Sequence, residues 1–231
     1  MQVKTHNLTQ KLARVAGILL LLSLVMPTLN WALILSKFTL SGSDTSLSIL
    51  NNELLFRINI IIGLFSSIVI LALNICLYRI LCNVNKSLAL GAFSLKLIES
   101  IFAAVLFLGH FVALLALKGD VQNMDVQKIV NHLVENYITF TAISGIFFGM
   151  SMLIYSYLLL KSGYVHYLVA LSGIVSYSLV VIYDSLVILF PSYAGILSIQ
   201  LFGSVPVSLF QIIFGLWLLF KGIKTTSANK N

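Results

Sequence analysis

Residues 93–102 read FSLKLIESIF, which places Lys96 and Glu99 within an apolar run extending from Leu88 to Leu117. Three residues apart on a helix, the two side chains share a face and can pair. Pairing matters because a lone charge at mid-bilayer costs roughly 2.5–3.5 kcal/mol on insertion scales. A helix over Leu88–Leu117 would be about 45 Å long at 1.5 Å per residue, longer than a hydrocarbon core of ~30 Å. The sequence therefore leaves two placements open: an ion pair inside the membrane, or one at the cytoplasmic interface of an overhanging helix.

Three further ionisable residues fall at one depth. His110 precedes the end of its apolar run by seven residues, Asp184 lies six before Phe190, and Arg57 opens the second run, so all three are within about 10 Å of the outer edge. Asn30, Thr141 and Gln200 reach a similar level on the other three runs. An aspartate at that depth must be neutralised by a proton or a cation, and Arg57 is the cation nearest in depth. The expectation is a coupled Arg57–His110–Asp184 cluster in a polar pocket open to the outside, with His110 as the member able to exchange a proton near neutral pH. Each residue also has a structural reading: His110 bonded within the core, Arg57 snorkelling outward, Asn30 bonding two helices. Helix facing decides between them.

Enzymatic templates fit poorly. The chain contains no H-E-x-x-H, G-x-S-x-G, Walker A or G-x-G-x-x-G motif, and Glu99 and Asp184 differ too much in depth to act as paired carboxylates. Haem between helices would need facing histidines, whereas His132 and His166 belong to opposite interfaces. Cys76 and Cys82, six residues apart, point about 120° away from each other on a helix, and two cysteines without a histidine pair are no zinc signal. No catalytic residue, metal or cofactor is expected.

The elements that must position these residues follow from composition. Of 231 residues, 59% are hydrophobic and 9% charged, against about 25% charged in a soluble domain. About 20 apolar residues span a bilayer as a helix, and six segments qualify: 13–36, 57–81, 88–117, 136–160, 167–190 and 195–221. The fold class is all-α, a single polytopic membrane bundle of six transmembrane helices. The basic start could belong to a secretory signal, but the first apolar stretch exceeds the usual length and lacks a small-x-small cleavage site, so an uncleaved helix is expected. In the outer loops, Leu47, Leu50 and Leu54 recur at helical spacing behind Ser43 and Asp44, and DVQKIVNHLVEN carries Asp125 as a cap, so both loops are expected to hold amphipathic helices unless they are simply solvated. Gly145 and Gly149 form a G-x-x-x-G, which permits close helix approach, either within the bundle or between copies, and Ser172 and Ser176 offer a similar face. Tyr155, Tyr157, Tyr164 and Tyr167 suggest an aromatic belt. No internal repeat relates the two halves.

Orientation follows from Lys and Arg, which cytoplasmic loops retain. With the N-terminus inside, nine cations (Lys4, Lys11, Arg14, Arg79, Lys86, Lys161, Lys221, Lys224, Lys230) lie on the inner side and three (Lys37, Lys118, Lys128) outside. Both termini are expected in the cytoplasm. The net charge of +7 is spread along membrane edges facing anionic headgroups, so the expected partner is the lipid bilayer and not nucleic acid; the oligomeric state stays open.

Read together, KLARVAGILLLL, LLFRINIIIGL, LYRILCNVNKSLALGAFSLKLIES, YLLLKSGYVHYLVALSG, YDSLVILFPSY and LWLLFKG resemble, in order and spacing, the bacterial integral membrane family catalogued as domain of unknown function 4386. The resemblance implies a bacterial inner-membrane helical protein and carries no activity, ligand or catalytic residue. Arg57, Asn85, a basic residue at 96, Glu99, Gly163, Tyr164 and Asp184 look like family positions, and an acidic residue often stands where this chain has Gln211. The functional expectation is a protein that binds or moves a small molecule, ion or lipid through a polar site in the bundle. The alternative is an accessory or regulatory membrane protein whose polar residues join helices, and an intramembrane enzyme ranks last.

Overall fold

The structure is a computed structural model that describes residues 2–39, 45–120 and 123–224. Nine α-helices are present among the described residues: α1 (Gln2–Asn30), α2 (Ser36–Thr39), α3 (Thr45–Asn51), α4 (Glu53–Leu81), α5 (Lys86–Gly119), α6 (Met124–Glu135), α7 (Tyr137–Ser162), α8 (Tyr167–Leu189) and α9 (Leu197–Phe220). A π-helical turn, Trp31–Leu35, joins α1 to α2, and a 3-10 turn, Pro191–Gly195, joins α8 to α9. Six helices are long and apolar enough to cross a membrane, the first counting α1 with its π-turn and α2. Their apolar spans match the six expected segments to within four residues at each end, while α1 itself begins eleven residues earlier than expected, at Gln2.

The six pack as a closed ring in chain order, α1 against α4, then α5, α7, α8 and α9, with α9 returning to α1. The ring closes where Gly17 of α1 meets Gly215 of α9; a Cβ on Gly17 would stand 2.7 Å from the Gly215 carbonyl oxygen, so only a bare backbone allows that approach. Two apolar clusters fill the ring. One, around Leu73, Leu77, Tyr155, Tyr177, Phe210 and Phe214, holds the end that carries the termini. The other, around Leu35, Phe38, Ile49, Phe56, Leu114 and Val134, lies under α3 and α6 at the opposite end. Both described ends of the chain meet: the Gln10 amide exchanges hydrogen bonds with the Ile223 backbone, and Lys224 N–H donates to the Tyr164 carbonyl at 2.8 Å.

The loops follow local chemistry. Asn85 accepts from Leu88 N–H at 3.0 Å and starts α5, and Gly163, at φ +65°, ends α7 in a conformation that side chains disfavour. The two amphipathic connecting helices, α3 and α6, form, with two corrections. The cap of α6 is Asn123, whose side chain accepts from Asp125 and Val126 N–H, and not Asp125, because an Asx turn reaches the free N–H groups two and three residues ahead. In α3 the buried face is Thr45, Ser46 and Ile49; of the expected stripe, Leu50 is partly buried against the apolar cluster, while Leu47 and, at the start of α4, Leu54 are exposed; Ser46 bonds the Asn131 side chain across to α6 and Thr45 bonds Glu135, so Ile49 and polar contacts orient the helix more than the leucine stripe does. Ser43 and Asp44 lie outside the described residues, as do Lys230 and the Lys4 side chain. Tyr155 is 1% exposed and belongs to the core, not to a belt; Tyr157 and Tyr167 are exposed.

Candidate functional site

Lys96 and Glu99 pair at 2.6 Å, with side chains 2% and 9% exposed. The Lys96 Nζ also lies 4.4 Å from the centroid of the Phe148 ring on α7, a cation–π contact that partly replaces lost hydration. Glu99 is 13 residues from the Lys86 end of α5 and 20 from the Gly119 end, about 20 and 30 Å. A ~30 Å hydrocarbon core centred on this helix of 34 residues would enclose both charges.

Glu99 lines a cavity of 130 Å³ between four helices. From α1 come Pro27 and Asn30; from α4, Gly63, Ser66, Ser67 and Ile70. From α5 come Ala103, Leu106 and Phe107 beside Glu99, and from α7, Tyr137, Thr141 and Ser144. The α1 wall is irregular. Pro27 has no N–H to continue the helix ladder, and the π-turn Trp31–Leu35 begins directly after Asn30, a distortion frequently found at functional sites.

A buried polar chain backs this wall. Asn30 Nδ2 donates to Asn59 Oδ1 at 2.8 Å, and Asn59 Nδ2 stands 3.5 Å from His110 Nδ1. The His110 ring is fully buried among Phe56, Phe107 and Tyr137. Both ends of the chain, Asn30 Oδ1 and His110 Nε2, are buried without a hydrogen-bond partner among the described residues. Nearer the termini, Asn74 joins three helices, donating to the Phe93 carbonyl at 3.0 Å and accepting from the Tyr155 hydroxyl at 2.7 Å. The Tyr177 hydroxyl is buried close to the Gln211 side chain without a bond of standard geometry.

The expected Arg57–His110–Asp184 cluster does not form. The Arg57 guanidinium pairs with Glu53 one turn earlier at 2.7 Å, and Lys118 joins the same carboxylate at 3.0 Å. Arg57 is half-exposed, so its long side chain reaches outward to a hydrated carboxylate instead of into the bundle. Asp184 is 7% exposed and packs where Gly145 leaves room: a Cβ at Gly145 would overlap its carboxylate. Among the described residues Asp184 has neither an ion pair nor a hydrogen bond. Gln200 does not join a pocket; its amide donates to the Ala194 carbonyl and secures the 3-10 turn. Of the polar residues singled out by depth, the structure brings Asn30 and Thr141 to one cavity, adds Glu99 from deeper, and puts His110 two hydrogen-bond steps behind Asn30, through Asn59. Gly145 and Gly149 both face α8, where Gly149 meets Val181 and the Tyr177 carbonyl, so the motif packs helices within the chain.

Sequence reasoning missed Asn59, Ser66, Ser67 and Asn74. Their signal was a stripe on α4: positions 59, 63, 66, 67, 70 and 74 follow helical spacing, and Asn59, Gly63, Ser66, Ser67 and Asn74 are all buried in an otherwise apolar helix. No cluster of three or more His, Cys, Asp or Glu suited to a metal ion occurs among the described residues.

Compared with known proteins, residues 15–222 match the sequence model of the family described as Domain of unknown function (DUF4386). No curated protein and no solved structure matches the chain.

Proposed function

Since the chain belongs to the DUF4386 family, whose description assigns no activity, we propose a function from the site alone: a multi-pass membrane protein that binds a small molecule or ion in the cavity between α1, α4, α5 and α7, as a carrier does. The observation that carries this reading is a cavity of 130 Å³ lined by Glu99 and Asn30, the latter with a buried amide oxygen that has no hydrogen-bond partner among the described residues. Buried polar atoms in membrane bundles normally find partners, and unpaired ones beside a void accord with a ligand that supplies the missing bond. The irregular stretch of α1 at Pro27 and Asn30 supports the same reading, because carriers place interrupted helices against their binding sites. The binding role is preferred over an enzymatic one on the absence of catalytic motifs. The membrane is proposed to be the bacterial cytoplasmic membrane with both termini inside, a reading supported by the family resemblance and the nine-to-three bias of cations.

The test is mass spectrometry of small molecules that co-purify with the protein in mild detergent, alongside a Ser67→Phe variant that fills the cavity. A species retained by the wild type and lost from the folded variant supports the reading; identical profiles refute it. The second reading, an accessory protein whose polar residues join helices, is favoured by the Asn74 junction and by Ser176 donating to the Pro206 carbonyl on α9 at 3.0 Å. Identical profiles would leave it in front.

A further inference from the structure

A groove of 340 Å³ runs along the outer surface of the ring between α4 and α5. Its floor is Ile60 and Phe107, both buried, and its walls are Ile61 and Leu64 on α4 and Leu108 and Phe111 on α5, all exposed. Gly63 makes this shape possible: a Cβ there would overlap the Phe107 ring, so a bare backbone lets the ring sink between the two helices and leaves a hollow above it. From Arg57 to Leu64 the groove covers two turns of α4, about 10 Å, which fits within one leaflet, half of a ~30 Å hydrocarbon core.

All of the lining side chains are hydrocarbon except Arg57, which closes one end. With α4 29 residues long, about 43 Å, a centred ~30 Å core begins about one turn after Glu53, so the guanidinium stands at the headgroup boundary. Its Nε and one Nη donate to Glu53 at 2.8 and 2.7 Å. The N–H groups of the other Nη have no partner among the described residues, and a guanidinium offers five donors in a fork that fits phosphate. Lys118, two turns beyond Phe111 on the same side of α5, reaches the same carboxylate at 3.0 Å. Two cations on one carboxylate, all three partly exposed, leave one positive charge unbalanced at the mouth of the groove. Asp120, the next acidic residue along the chain, accepts from the Asn123 side chain at 3.3 Å and pairs with neither cation.

We propose that this groove is a binding site for one anionic phospholipid, with the phosphodiester on Arg57 and Lys118 and an acyl chain laid over Phe107 between α4 and α5. The apolar groove by itself selects no lipid over another, because every phospholipid brings hydrocarbon chains. The unbalanced charge beside it does select: an anionic headgroup neutralises the rim, whereas a zwitterionic one adds its own cation to a place already in excess of cations. Phe107 also lines the polar cavity, but the lipid site does not depend on what that cavity binds.

The experiment is native mass spectrometry of the full chain in detergent, incubated with equal amounts of phosphatidylglycerol and phosphatidylcholine of identical acyl chains, reading the ratio of the two singly lipidated species. The wild type is expected to favour phosphatidylglycerol about fivefold, the effect of one positive charge beside an anionic lipid. Arg57→Gln and Lys118→Gln should each bring the ratio near one. Glu53→Gln, which leaves two cations unbalanced, should raise it about fivefold further. Ile61→Trp and Leu108→Trp fill the groove from opposite walls, so that one remains if the other does not fold, and each should abolish the preference. Leu171→Trp, at an exposed position of α8 outside the groove, should keep it. A ratio near one in the wild type, or one that Glu53→Gln does not raise, would overturn the headgroup assignment. A preference that survives in the filled variants would show charge acting without the groove and would overturn the site.

Discussion

Removing one member of the Lys96–Glu99 pair should damage the protein far more than removing both. The two groups are 2.6 Å apart, and their side chains are 2% and 9% exposed. Glu99→Gln leaves an ammonium in a site closed to solvent, with only the Phe148 ring as compensation, worth about 2 kcal/mol when desolvated. Breaking a buried pair in this way typically costs 3–5 kcal/mol. Lys96→Met leaves a carboxylate that borders the cavity and can take up water or a proton there, so its cost should fall at or below about 3 kcal/mol. The double change Lys96→Met/Glu99→Gln removes both charges from a medium where their desolvation offsets their attraction, and should cost less than about 1 kcal/mol. The coupling energy of the cycle is then several kcal/mol, well above the 0.5–3 kcal/mol usual for neighbouring residues. Equilibrium unfolding by SDS titration in mixed micelles, monitored by tryptophan fluorescence and circular dichroism, measures all four proteins. Equal small losses in all three variants, or a double variant as unstable as the sum of the singles, would refute the reasoning and would mean that both groups are hydrated at an interface.

Other perturbations probe separate links. Gly145→Ala forces a methyl group into the Asp184 carboxylate and should cost about 1–3 kcal/mol as overpacking; most of it should be recovered in the Gly145→Ala/Asp184→Ala double variant, measured by the same titration. Tyr155→Phe removes the 2.7 Å bond to Asn74, which leaves a buried acceptor unpaired, and should cost about 1 kcal/mol, near the upper range for bonds between membrane helices; no change would show that water replaces the hydroxyl. For orientation, in a variant lacking Cys76 and Cys82, a cysteine at Lys118 should label from outside intact cells and one at Lys86 or Lys224 only after permeabilisation. Outside labelling at Lys224 would overturn the proposed topology.

The ion pair was legible because i,i+3 spacing on a helix is a local property; the cap at Asn85 and the stop at Gly163 are equally local but were singled out only as family positions. The three-way cluster was misread because equal depth on separate helices says nothing about rotation. Arg57 had a nearer acceptor in Glu53, four residues earlier, and a depth argument overlooks such local partners. The cavity was only partly visible: Asn30, Thr141 and Glu99 were singled out, while the stripe Asn59–Gly63–Ser66–Ser67–Asn74 on α4, which carries much of its polar wall, was passed over because each residue alone looks bland among leucines and isoleucines.

By itself, the sequence determined that the chain crosses a membrane as six helices and where each apolar span begins and ends to within a few residues, because the length of an apolar run is set by bilayer thickness and the breaks by charged, Asn and Gly residues. Only the tertiary structure decided which face of each helix looks inward. In water, the polar face of a helix marks the outside; in lipid the surroundings are as apolar as the core, so residues such as Ile68 and Phe65, both exposed, and Leu73 and Leu77, both buried, are indistinguishable by type. Facing is set instead by close packing at Gly17, Gly145 and Gly149 and by a few buried hydrogen bonds between helices, and these arise only when all six helices are in place.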